Sequence, residues 1–129
     1  MAEKKNSKTI LIAEDEIPLQ KILSDKLRQI GYEVVTADDG EDAITKFDTN
    51  QVDIILLDLV MPIKSGFEVI EDVRLNKGSD VPIIILSNLS QDSDVEAATN
   101  LGANDFMVKS NIDLTELVAK IAKLISASQ

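Results

Sequence analysis

A chain of 129 residues holds one domain of ordinary size, and 44% apolar with 28% charged residues is the composition of a globular protein able to bury a full core. Lys and Arg number 13 against 23 Asp and Glu, so the net charge of -10 repels nucleic-acid phosphates and anionic lipid headgroups, and neither a direct nucleic-acid partner nor a membrane is expected. The absence of Cys and His excludes disulfides, thiolate or imidazole metal ligands, cysteine nucleophiles and a phosphohistidine on this chain.

No apolar run reaches the roughly 20 residues that span a bilayer, and no apolar segment follows the basic start MAEKKNSK, so a cytoplasmic protein is expected. One domain is expected over residues 1–129, with a core over about 8–126 and short polar tails. Thr9 to Ala13 is an apolar run of buried-strand type. Pro18 suits the first turn of helix one, Leu19, Ile22, Leu23, Leu27 and Ile30 form its apolar stripe, and Gly31 stops it. Strand two follows over Glu33 to Ala37. Asp39 then caps helix two, whose buried face is Ala43, Ile44 and Phe47.

Strand three runs from Val52 through Ile54-Ile55-Leu56-Leu57 to Asp58. A loop containing Pro62 leads to the capping box Ser65-Gly66-Phe67-Glu68 of helix three. Strand four spans Pro82 to Leu86 and strand five Asp105 to Val108. Between them helix four, around Ser93 to Leu101, has thin apolar content in Val95, Ala98 and Leu101, and is expected to be the least firmly anchored helix. Helix five follows Asp113 with a broad stripe from Leu114 to Ile125. These alternating units predict an α/β fold: a doubly wound, five-stranded parallel sheet of flavodoxin-like order 2-1-3-4-5, with helices on both faces in three layers.

In such a sheet the carboxyl ends of the strands share one edge, where the site forms. Strand one delivers Glu14 and Asp15 there, strand three Asp58, strand four Ser87 and strand five Lys109. Each has a structural alternative. Asp15 or Glu16 suits a helix cap, Ser87 a satisfied strand-end hydroxyl, and Lys109 a surface lysine. Asp58 resists one, because a carboxylate straight after four apolar residues is costly to hold unless paired or metal-bound. Clustered carboxylates repel, so a hard cation such as Mg2+ is their natural neutraliser, with Lys109 adding a further positive charge.

With Glu14-Asp15, Asp58-Leu59-Val60-Met61-Pro62, Gly66, Ser87 and Lys109 in this order, the chain resembles the receiver domain of two-component response regulators over nearly its whole length. The resemblance implies Asp58 as phosphoacceptor and Glu14, Asp15, Asp58 and the Val60 carbonyl around Mg2+. It also implies Lys109 contacting the phosphoryl group and Ser87 reporting it, with Phe106 as aromatic switch, although Phe106 also suits a plain core aromatic. The implied partners are a histidine kinase or His-phosphotransfer protein upstream and a protein target downstream, met through the face of helix four, strand five and helix five, by a monomer or a phosphorylation-dependent dimer.

Three departures stand out. Ser110 replaces the proline usual after Lys109, so a trans loop, a less rigidly aimed Lys109 and slower loading are expected. Asn88 replaces Ala or Gly, and either narrows access to Asp58 or adds a polar contact to the phosphoryl group. Val60 and Leu89 are apolar where a polar side chain would hold an attacking water, so a long-lived acyl phosphate is expected. The alternatives are a pseudo-receiver that binds partners without phosphorylation, a haloacid dehalogenase-type phosphatase and a flavodoxin-like FMN binder. Val60 stands where the phosphatase needs a second Asp. The FMN binder lacks a phosphate-cradling loop after strand one and has only 3% aromatic residues for stacking a flavin.

Overall fold

The computed structural model describes residues 7–88 and 92–128. Five strands, β1 (Thr9–Ala13), β2 (Glu33–Ala37), β3 (Ile54–Leu57), β4 (Ile83–Ser87) and β5 (Asp105–Val108), form one parallel sheet in the order β2-β1-β3-β4-β5. The expected doubly wound α/β architecture is present. β1, β3 and β4 lie inside the sheet and, apart from Thr9 and Ser87 at their ends, carry unbroken apolar sequence because both their faces are covered.

Five helices alternate with the strands: α1 (Ile17–Ile30), α2 (Gly40–Thr49), α3 (Gly66–Glu71), α4 (Asp92–Leu101) and α5 (Leu114–Ala127). The side-chain period of two divides each inner strand between two cores. Leu11, Ile55, Leu57, Ile83 and Ile85 pack with Ala43 of α2, Val69 and Ile70 of α3 and Ala98 of α4, whereas Ile10, Ile12, Ile54, Leu56 and Ile84 pack with Leu23 and Leu27 of α1 and Leu117, Ile121 and Ile125 of α5. α3 opens with the anticipated box, Ser65 Oγ accepting from Glu68 N and Glu68 Oε1 accepting from Ser65 N, and continues as a π-helical stretch over Asp72–Asn76.

Four sequence expectations need correction. The buried stripe of α1 is Gln20, Leu23, Ser24 and Leu27, while Ile22 and Ile30 are 54% and 46% exposed. Apolarity alone misplaced the stripe, because two polar residues occupy the face at helical spacing; nothing in the structure explains an isoleucine at position 22. β3 begins at Ile54; Asp53 before it meets Thr9 twice, its N–H donating to Thr9 O and its carboxylate accepting Thr9 N, both at 2.8 Å. β4 begins one residue later than Pro82, which has no N–H to pair but accepts Ile55 N through its carbonyl, and it extends to Ser87. α5 runs to Ala127, into the expected tail.

Candidate functional site

The register brings the reactive side chains to one edge. Ala13 pairs with Leu57 and Ser87 with Val108, so the next residues, Glu14, Asp58 and Lys109, leave the sheet together. Glu14 N and Asp58 N still donate to Ala37 O and Ala13 O, at 3.1 and 3.0 Å, which holds both acids to the sheet backbone as the chain departs. One carboxylate oxygen each of Glu14, Asp15 and Asp58 lie within 4.8 Å of one another.

The Lys109 ammonium sits among the acids, 2.8 Å from Asp58 Oδ2, 3.0 Å from Glu14 Oε2 and 3.1 Å from Glu16 Oε2. Lys109, Glu14 and Asp58 have side chains 7%, 2% and 3% exposed, so these contacts act with little solvent screening. Burial pushes the Glu14 carboxyl above its ordinary value, against the lowering effect of the Glu16 N–H and Lys109. Burial works against the charged form of Lys109 as well, but hydrogen bonds to Asp58, Glu14 and Glu16 outweigh it and raise its pKa. Asp58 Oδ1 accepts Val60 N at 3.2 Å. Asp15, Glu16, Asp58, Val60, Ser87, Asn88 and Lys109 line an open cavity of about 310 Å3.

A close approach completes the site. Gly66 N donates to Leu59 O at 2.9 Å, and a Cβ at Gly66 would collide with the Asp58 carbonyl. Glycine is therefore required for α3 to start against the residue that bears the central carboxylate.

The response regulator receiver domain model matches residues 10–122. The chain belongs to the response regulator receiver domain family. Receiver domains are signalling switches of two-component systems, not enzymes in the usual sense. Among relatives, a probable transcriptional regulator ycf27 of Cyanophora paradoxa is 41% identical over 96% of this chain and 51% of its own length. This receiver domain spans about half the length of such curated relatives. The Thermotoga maritima response regulator TrrA, in complex with Mg2+-BeF, is 36% identical with a TM-score of 0.80 over 91% of this chain and 98% of its own. The chemotaxis protein CheY4 of Vibrio cholerae gives 28% and 0.85 over 92% and 98%.

The edge thus gathers the expected Glu14, Asp15, Asp58, Val60, Ser87 and Lys109. Phe106 lies one strand-step away: it pairs with Ile85 as Val108 pairs with Ser87, which puts Phe106 and Ser87 on the same sheet face. Phe106 is half-buried against the cluster that includes Ala98. Leu89 lies outside the described residues. Every peptide bond among the described residues is trans, and three carboxylates aim Lys109 even without a proline after it.

Sequence reasoning missed two participants. Glu16, weighed only as a cap, makes no side-chain cap bond and instead reaches Lys109; its place in the acidic run Glu14-Asp15-Glu16 was the available signal. Gln20 was invisible, a polar residue hidden on a buried face. Its Nε2 donates to Glu14 O at 2.8 Å and Asp38 Oδ1 at 2.9 Å, tying the acidic turn to the turn after β2.

Proposed function

We propose that this receiver domain is loaded with a phosphoryl group on Asp58 by a histidine kinase or His-phosphotransfer protein, and that the added charge is read by a protein partner at the face of α4, β5 and α5. The observation that supports this best is a nearly fully buried carboxylate at the end of the central strand, 2.8 Å from a lysine ammonium and opening onto a polar cavity. An Asp58 oxygen attacks phosphorus, the phosphorus–nitrogen bond of the donor phosphohistidine breaks, its electron pair leaves with the imidazole, and an acyl phosphate remains. Lys109 meets the negative charge of the transferring group from a fixed position, so catalysis is chiefly positioning and electrostatics.

Three hard oxygen donors within 4.8 Å of one another fit Mg2+, which Glu14, Asp15, Asp58 and the Val60 carbonyl would hold. When bound, Mg2+ neutralises charge on the phosphoryl oxygens. Ser87 is drawn toward the phosphoryl group, and Phe106, on its sheet face, follows into the space released. Exposed apolar Val60 offers no side-chain hydrogen bond to a water on the cavity side, which supports a long-lived acyl phosphate. The name of the curated relatives belongs to chains about twice as long. These residues carry a net charge of -10, so the partner proposed for their surface is a protein, not nucleic acid.

The test is intact mass after incubation with a small acyl-phosphate donor, with and without Mg2+, on the native chain and Asp58→Asn. Gain of one phosphoryl group that needs both Mg2+ and Asp58 is expected, with a lifetime well beyond minutes. No gain under any condition would sink the proposal in favour of constitutive partner binding.

A further inference from the structure

At the rim of the cavity, the Ser110 N–H donates to Asn88 Oδ1 at 2.8 Å, across 22 residues of sequence. The β4–β5 ladder ends at Ser87 and Val108, so this bond joins the two connections just where strand pairing stops holding them. One connection starts next to Ser87, the other carries Lys109, and Asn88 lines the cavity together with both.

Neither residue forms this contact without the other. A proline at position 110 has no N–H to give, and an alanine or glycine at position 88 has no side-chain acceptor. Each taken alone is a departure from the receiver pattern; together they are one interaction. Only Oδ1 of a carboxamide accepts an N–H, so the bond also fixes which way round Asn88 stands and leaves its two Nδ2 hydrogens free of this contact.

We infer that Asn88 is a positioning residue: its bond to the Ser110 amide stiffens the backbone that presents Lys109 and couples it to the connection that moves with Ser87. This rests on the phosphoryl-transfer proposal for the site. The carboxylates hold the ammonium end of the lysine, and Asn88 holds its backbone end, the part that a flexible four-carbon stem leaves loose. A ring at position 110 would stiffen the same backbone by fixing φ, so the hydrogen bond does by contact what proline does covalently.

The decisive experiment is a double-mutant cycle on loading rate, read by intact mass with a small acyl-phosphate donor and Mg2+, for the native chain, Asn88→Ala, Ser110→Pro and the double variant. Asn88→Ala is expected to slow loading by about two- to tenfold, the range of one ordinary hydrogen bond, and to change nothing in the Ser110→Pro background. An equal loss in both backgrounds would instead mean that Asn88 touches the phosphoryl group directly, and no loss in the native background would remove the role altogether; either overturns the inference. If the native chain does not load, the phosphoryl-transfer proposal has failed instead. Hydrogen exchange at the Ser110 amide then decides the contact by itself: about two- to tenfold faster exchange in Asn88→Ala supports it, and unchanged exchange refutes it.

Discussion

Replacing Lys109 with Met keeps an unbranched side chain one atom shorter and removes the only cation among the described residues that touches Glu14 and Asp58. Both carboxylates are at most 3% exposed, so the variant must hold two facing negative charges out of water, whereas the third contact, to Glu16 at 58% exposed, contributes little. Stripping one partner from such a buried arrangement costs about 3–5 kcal/mol, a large share of the roughly 5–15 kcal/mol that a domain has in total. At this size the loss corresponds to a drop in Tm on the order of 10–20 °C. Acid should soften the penalty, because Glu14, already pushed upward by burial, takes a proton more readily once its lysine is gone. Adding Mg2+ should recover more stability in Lys109→Met than in the native chain, since the acids need no longer give up an ammonium to bind it. Calorimetry at neutral pH and near pH 5, with and without Mg2+, checks all three points. A loss of a degree or two, the same at both pH values and indifferent to Mg2+, would show that solvent screens the cluster and would refute the reasoning.

Gly66→Ala should cost about 1–3 kcal/mol in chemical denaturation and lower Asp58 loading further than instability explains, because the new methyl meets the Asp58 carbonyl. Ile63, a β-branched residue at φ 71° and 69% exposed, gains nothing from burial at that strained position; Ile63→Asn should raise stability by about 1 kcal/mol, read as a higher denaturant midpoint. Glu14 has its folded pKa raised above the ordinary 4.5, so its contribution is fully present below that value and is lost as pH rises through the folded pKa. In metal-free melts, Glu14→Gln should therefore gain on the native chain as pH climbs from about 4.5 toward neutrality, and parallel pH curves for the two proteins would contradict this.

The bounds of β1, β2 and β5 were legible because turn-forming or polar residues punctuate short apolar runs, and the strand order followed from crossover geometry. The ends of β3 and β4 were not, because they depend on long-range partners: the Asp53 carboxylate takes the Thr9 N–H at the start of β3, and Ser87 joins β4 by pairing with Val108. The site was legible where it depends on strand ends. Topology gathers Glu14, Asp58, Ser87 and Lys109 whatever the helices do. It was illegible where a side chain must cross between elements, as Gln20 does from a helix face that its neighbours mark as apolar.

The same distribution of burial limits where a signal can travel. Glu14, Asp58 and Ser87 are at most 3% exposed and continue inner strands whose apolar residues are packed on both sides, so a charge added there meets a frame with little freedom to yield. α5 is also committed, with Leu117, Ile121 and Ile125 buried against the sheet. α4 is not: among its described side chains only Ala98 is buried, and a methyl group offers a fraction of the apolar area of three large side chains. Phe106 stands between the two, half-buried on the sheet face that α4 covers. Under the proposed switch, displacement at Ser87 would be relieved most cheaply through Phe106 toward α4, while α5, packed on the opposite face of the sheet, would stay fixed, and a partner would read α4 moving relative to it.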